Sequence, residues 1–155
     1  MISAFRMHQK EFIEHLRQIA SSDENRLEKC QRTAAEWSER LLRNGSDYRI
    51  WYDLRNQALF EPELRPVVEE MEDLQVAALA ELVTGNAEIR GDIVQRIREF
   101  YLPTLGGLFH RFLQRIIFEN PADASEQERA FTEVLERLLV ELDTVSGRRS
   151  QDRYF

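Results

Sequence analysis

The sequence predicts an all-α protein, a single domain built as a bundle of about six helices. Three observations predict it. Apolar residues recur at helical spacing along nearly the whole chain. No stretch alternates apolar and polar residues as a half-buried strand does. The 6 Gly and 4 Pro fall mainly where those helical stretches should stop or bend.

The elements follow in order. Phe5, Phe12, Ile13, Leu16 and Ile19 give a first helix from about Ser3 to Ala20 one apolar side. Ser21 with Glu24 three residues on has the spacing of a capping box, which predicts a new helix there. Leu27, Cys30, Ala34, Trp37 and Leu41 form its apolar face, and Asn44-Gly45 ends it. A third helix covers Asp47 to Leu59, with Ile50, Trp51, Leu54 and Ala58 on one side. Pro62 and Pro66 break the chain and open a fourth helix through Val67, Met71, Leu74, Ala78 and Leu82, stopped by Gly85-Asn86. The fifth stretch, Asp92 to Phe118, is the most apolar. Pro103 and Gly106-Gly107 lie inside it and predict a kink. Ser125 with Glu128 has the spacing of a second capping box. Phe131, Val134, Leu135, Leu138, Leu139 and Leu142 mark the last helix, with a stop expected at Ser146-Gly147. The domain is thus read as residues 1–147, and 148–155 as a polar tail.

Composition narrows the function classes. With 155 residues the chain can bury a core without metals or disulfides. No apolar run reaches the ~18 residues of a membrane span, and the first dozen residues carry charges where a signal peptide is apolar. A cytoplasmic protein is the expectation. Cys30 is the single cysteine, so neither an intrachain disulfide nor a thiolate zinc cluster can form. The net charge of -7, with arginines scattered among glutamates, lacks the basic stripe of a phosphate-binding protein.

Catalytic patterns are missing. There is no paired Glu-x-x-His, no clustered His or Cys, no phosphate-binding glycine loop and no nucleophile elbow. His8, His15 and His110 are spread along the chain and read as surface residues. No enzyme, no metal and no cofactor is expected.

Two features need a destination. The first is apolar surface near the C-terminal end. Phe109, Phe112, Leu113 and Ile116 on the fifth helix and Phe131, Leu135, Leu138 and Leu142 on the last form consecutive stripes. A helix that is apolar on most sides must be covered on most sides. Either a central buried helix does this within one chain, or two hairpins meet in a homodimer. The consecutive arrangement favours the dimer. The second feature is a mixture of aromatic and polar residues. Trp51, Arg55, Tyr101 and His110 are the residues expected to line a ligand pocket between the third and fifth helices, beside Trp37, Tyr52 and Phe100. Ordinary core packing is the competing account of each.

The stretch from Ser21 to Val83 resembles the effector-binding region of the tetracycline-repressor family of transcriptional regulators. The resemblance rests on order: a polar break before Arg26-Leu27, a helix, a gap, and an aromatic helix at Trp51-Tyr52-Asp53-Leu54. The turn Glu61-Pro62-Glu63-Leu64-Arg65 then opens a long helix. Leu105-Gly106-Gly107-Leu108 resembles a small-residue break near that family's ligand, and Lys10-Glu11-Phe12 its linking helix. The resemblance implies a small-molecule effector and homodimerisation through the last two helices. It also implies DNA binding through a helix-turn-helix head whose recognition signature is missing from this chain. The rival expectation is a helical adaptor without ligand, whose apolar hairpin binds another protein.

Overall fold

The computed structural model describes the backbone of residues 2–85 and 89–152. The helices are α1 (Ile2–Ala20), α2 (Arg26–Arg43), α3 (Gly45–Gln57), α4 (Arg65–Thr84), α5 (Gly91–Arg96), α6 (Leu102–Glu119) and α7 (Ser125–Asp152). A 3-10 turn, Pro62–Leu64, leads into α4, and a π turn, Ile97–Tyr101, joins α5 to α6 without a break. The described residues therefore form six rods and no strand, as the periodicity predicts. The main packing is α2 along α7 and α1 along α4, with α3 laid over α6.

Several ends differ from expectation for local reasons. Asn25, not Ser21, caps α2: its side chain accepts from the Glu28 N–H at 2.9 Å, and Glu28 reaches back to the Asn25 N–H. Ser21 and Ser22 instead donate to carbonyls at the end of α1. Lys29 also closes that end, its buried Nζ 2.7 Å from the Ala20 oxygen. At α7 the Ser125 side chain makes no cap. Asp123 accepts from both the N–H and the hydroxyl of Ser125, which holds its carboxyl below the usual range. Gly85 ends α4 at φ 64, ψ -135, a conformation that a Cβ resists. The α7 backbone stays helical past Ser146-Gly147 to Asp152, so a tail beginning at residue 148 is not found. Residues 153–155 lie outside the described residues.

The expected kink at Pro103 takes another form. Proline offers no N–H to the Glu99 carbonyl and crowds it. At the residue just before the proline, the Leu102 N–H reaches the Ile97 carbonyl five positions back, the wide spacing of a π turn. This also solves a register problem. Ile93, Ile97, Tyr101 and Leu105 are all buried, each four residues from the last. In a regular helix such a series drifts by about 40° per step. The widened turn absorbs drift and keeps all four on the core side.

The core is continuous across the bundle. Its largest part joins Cys30, Ala34 and Leu41 of α2, Leu79 and Val83 of α4, Phe112 and Leu113 of α6, and Phe131, Leu135 and Leu138 of α7. A second part sets Phe12, Leu16 and Ile19 of α1 against Ala78 and Leu82 of α4. A third holds Phe5, Trp51, Leu54 and Met71. Trp37 joins the first two, stacking on Phe131 at 5.3 Å and meeting Phe12 at 6.0 Å.

This arrangement corrects the expected dimer stripe. Phe112, Leu113, Phe131, Leu135, Leu138 and Leu142 are buried within one chain, and Phe109 and Ile116 pack partly buried against the same core. α2 fills the place that a second subunit was expected to take. Leu138→Glu therefore removes a fully buried contact and buries an unpaired charge. It is expected to unfold the protein, not to separate subunits. Circular dichroism of this variant checks it, and a folded Leu138→Glu monomer would contradict the assignment.

Burial also sets an alkaline limit. It pushes the Cys30 thiol up to about 12, with the nearby Glu136 charge adding to the effect, and pushes Tyr48 and Tyr101 up to about 12 as well. In the unfolded chain a thiol ionises near ~8.5 and a phenol near ~10. As pH climbs through that range, the unfolded state releases protons that the folded state keeps. Stability must then fall with rising pH. The urea midpoint is expected to drop between pH ~8 and pH ~10.5 with an unchanged slope. Native Cys30 should also resist alkylation until the chain unfolds. A flat profile, or rapid native alkylation, would contradict this.

Candidate functional site

A small cavity opens where α1, α2, α3, α4 and α6 meet. Its volume is about 40 Å³, room for about one or two water molecules. Trp37, Tyr48, Trp51 and Phe109 supply aromatic walls, and Leu102, Leu105 and Gly106 of α6 the floor. Phe109 meets Tyr48 edge-on at 4.9 Å, and Phe5 stacks on Trp51 at 5.6 Å from behind. These contacts fix the rings by packing on both faces.

The polar lining is less usual. Gln9, Tyr48 and Trp51 are each only 6% exposed. None of these three side chains donates or accepts a hydrogen bond among the described residues, and Gln75 makes none either. Their polar atoms are nevertheless not among the fully buried unpaired ones. Here they face open space, where water or a ligand can complete them. Burial, the largest influence on Tyr48, keeps its hydroxyl protonated, so it can donate as well as accept.

At the mouth stand two charges. Arg55 of α3 lies with its guanidinium 5.9 Å from the Trp51 ring centroid. Its Nε is 3.6 Å from Glu72 of α4, beyond hydrogen-bond distance. Both side chains keep partial solvent exposure, 43% and 30%, so the pair contributes little to stability. The guanidinium fork has no hydrogen-bonded partner among the described residues and can turn toward another.

The four residues expected to share one pocket do not share one. Trp51 and Arg55 line this cavity. Tyr101 faces the other side of the bundle, where its hydroxyl donates to Glu141 of α7. Arg96 also donates to Glu141, at 2.6 Å. Burial raises the Glu141 carboxyl, but these two hydrogen bonds outweigh it and hold the group below the usual carboxylate range. His110 lies between α3 and α6 on a shallow surface groove, stacked on Tyr52 at 4.8 Å. The reason is angular: Tyr101 follows the π turn toward the α7 side, and His110 sits one position past Phe109, about 100° around the helix.

No protein-family model, no curated protein and no solved structure matches this chain significantly. The cavity is thus defined by its own geometry. Gln9, Tyr48, Glu72 and Gln75 were not singled out in the sequence. Gln9 and Gln75 did carry a legible signal. Gln9 lies four residues from both Phe5 and Ile13, and Gln75 four from Met71 and three from Ala78, so each interrupts an apolar stripe. No three His, Cys, Asp or Glu side chains come together as a metal site among the described residues.

On the opposite side, α6 and α7 border a long open groove of about 780 Å³. Phe100, Leu108, Val134 and Val140 give it apolar surface, and Arg96, Glu133, Arg137 and Glu141 ring it with both signs of charge. Phe100 is 48% exposed and Val140 66%. No described helix is long and apolar enough to cross a membrane.

Gly106 lines the cavity, and among the described residues no other backbone lies close against Gly106 or Gly107. A methyl at Gly106 would meet only Arg55 Nη1, at 3.6 Å, and one at Gly107 would meet nothing. Both residues sit inside α6 with no positive φ. Alanine at either position is expected to add about 0.5–1 kcal/mol of stability. Chemical denaturation of Gly107→Ala checks this. A loss of stability would point to an approach that the structure does not contain.

Proposed function

We propose that this chain is the small-molecule-sensing and dimerising part of a transcriptional regulator, of the kind that the resemblance to the tetracycline-repressor family implies. One observation carries the sensing role: buried Gln9 and Tyr48 line an aromatic-walled cavity without a hydrogen-bond partner among the described residues. Sites for drug-sized ligands occupy roughly 300–1,000 Å³. The cavity at about 40 Å³ is a closed form, suited to a small effector or to opening through the weak Arg55–Glu72 pair. Helix α6 supplies the coupling. Leu102, Leu105 and Phe109 line the cavity, while Thr104 and Leu108 line the outer groove. A ligand that displaces α6 shifts the population of α6–α7 geometries.

The partner is a second copy of the chain, docked on the outer groove and not on the buried stripe. Groove and rim carry both signs of charge, so a two-fold axis can place Arg137 of one subunit opposite Glu133 or Glu141 of the other. Control of DNA would run through a helix-turn-helix head outside this sequence. The -7 charge gives this chain no phosphate affinity of its own. The work is cytoplasmic, with no catalysis and no cofactor. The adaptor reading draws on a different feature. Leu59 and Phe60 at the α3–α4 turn are 70% and 84% exposed and offer a partner protein an apolar tip.

Two measurements test these roles. Light scattering after size exclusion should show a dimer at tens of micromolar. Val140→Glu should yield a monomer with an unchanged melting temperature, because Val140 makes little contact inside the chain. A wild-type monomer, or a dimer indifferent to this change, would remove the groove as an interface. In a thermal-shift screen, an effector at about 100 times its Kd should stabilise by about 2.7 kcal/mol, a rise of about 5–10 °C. Gln9→Leu should abolish that shift. Pairing through Leu59 and Phe60 with no ligand response would favour the adaptor.

A further inference from the structure

The identity of the effector can be narrowed further, on the reading that the Trp37–Trp51 cavity is a ligand site. Its mouth holds one cation and one anion side by side, Arg55 and Glu72, with Nε and Oε1 3.6 Å apart and no hydrogen bond between them. A free anion that pairs with Arg55 must sit beside the like charge of Glu72. A free cation that pairs with Glu72 must sit beside Arg55. Like charges at such range oppose binding. A molecule carrying both charged groups on one carbon satisfies both residues at once. The interior adds two further limits. At about 40 Å³ it admits only a short group. The amides of Gln9 and Gln75 and the Tyr48 hydroxyl can each donate and accept, and each lacks a hydrogen-bond partner among the described residues, so that group should be polar. The rings of Trp37, Trp51 and Phe109 close the sides.

We propose that the cavity binds a small polar α-amino acid, with its carboxylate on Arg55, its ammonium on Glu72, and its side chain among Gln9, Tyr48 and Gln75. Arg55 then turns from its loose contact with Glu72 to a bidentate grip on the carboxylate. Glu72, relieved of that contact, accepts from the ammonium. The existing ion pair is exchanged for two better ones. The exchange is inexpensive because an exposed pair of this kind is worth little.

The chain reports on the site directly, since its 2 tryptophans, Trp37 and Trp51, both line the cavity. Tryptophan emission of the full chain is titrated with L-serine and L-asparagine. Ethanolamine serves as the analogue of serine without the carboxylate, and hydroxypropionate as the analogue without the ammonium. The expected result is a saturable change with an amino acid and about 10-fold or weaker binding of each singly charged analogue. Arg55→Ala and Glu72→Gln should each weaken amino-acid binding by about 10-fold or more with unchanged melting temperatures. Equal response to the singly charged analogues, or indifference to both substitutions, would overturn the zwitterion. Emission that responds to indole but to neither amino acid would also overturn it, and would leave the cavity reading intact. Emission indifferent to every probe would overturn the cavity reading along with it.

Discussion

The bundle depends on the stack of Trp37 on Phe131. Trp37 stands on α2 and meets α7 through Phe131 on one side and α1 through Phe12 on the other. It adds an aromatic link between the α2–α7 core and the α1–α4 core, which α4 also joins through Leu79 and Val83 on one and Ala78 and Leu82 on the other. Phe112 packs edge-on against Phe131 at 5.6 Å, so α6 is held by the same cluster. Arg40, one turn along α2, covers Phe12 at 4.9 Å and shields the outer side. Aromatic rings suit this position because each offers two faces and an edge, and four helices converge here. Trp37 also forms one wall of the cavity. The residue that unites the core is thus in contact with the space where a ligand would sit.

The same geometry gives α7 two sides of different character. Gln127, Phe131, Leu135, Leu138 and Leu142 point inward and are buried. Ala130, Val134, Arg137 and Glu141 follow at the complementary spacing and line the outer groove. The inner stripe is what α2 requires in order to fold on α7. The outer one is shorter, partly charged and incompletely covered, which is the composition of an exchangeable interface more than of a core. Buried Gln127 carries an Nε2 with no hydrogen-bond partner among the described residues, and Thr33 and Ser38 of α2 hold hydroxyls in the same state. The contact between these two helices is mainly apolar, with the exposed Arg26–Asp143 pair joining them at 3.1 Å near one end.

Much of this was legible in the sequence, and the failures have definite causes. Periodicity located all six rods because apolar spacing is a local property of each helix. It could not say which helix would cover Phe131 and Leu138, since apolar stripes carry no address. α2 is polar on much of its surface, and its small buried residues, Cys30, Thr33, Ala34 and Ser38, concealed how closely it could approach α7. Small residues permit that approach without announcing it. The caps misled in a similar way: Ser21 and Asn25 both have an acidic residue three positions on, and only the end of α1 decides between them. For the site, Trp51 and Arg55 were found because both lie on the third helix, one turn apart. Tyr101 and His110 were misplaced because the π turn and a single-residue step rotate them away. Gln9 is the missed residue that sequence could have yielded, as a polar side chain set into an apolar stripe.

The cavity and the groove are two sides of one helix, and this constrains how either could influence the other. Leu105 is fully buried between them, and Phe109 leans on Tyr48 from the cavity side. A packed helix moves as a rod, so a group inserted against Leu102, Leu105 and Gly106 cannot be accommodated by one side chain alone. The anchors at either end of the rod differ. At its C-terminal end, Arg115 reaches both Glu119 and Glu126, which ties the turn into α7. At the π turn, Tyr101 and Arg96 converge on Glu141 while Arg98 pairs with Asp73 of α4 at 2.8 Å. The wide turn already departs from regular hydrogen bonding and is the place where a further change of register is least costly. Movement begun at the cavity would thus be expressed at the π turn, beside Phe100 and the mouth of the groove. On the proposed reading, that is the point at which effector occupancy alters the contact between two subunits.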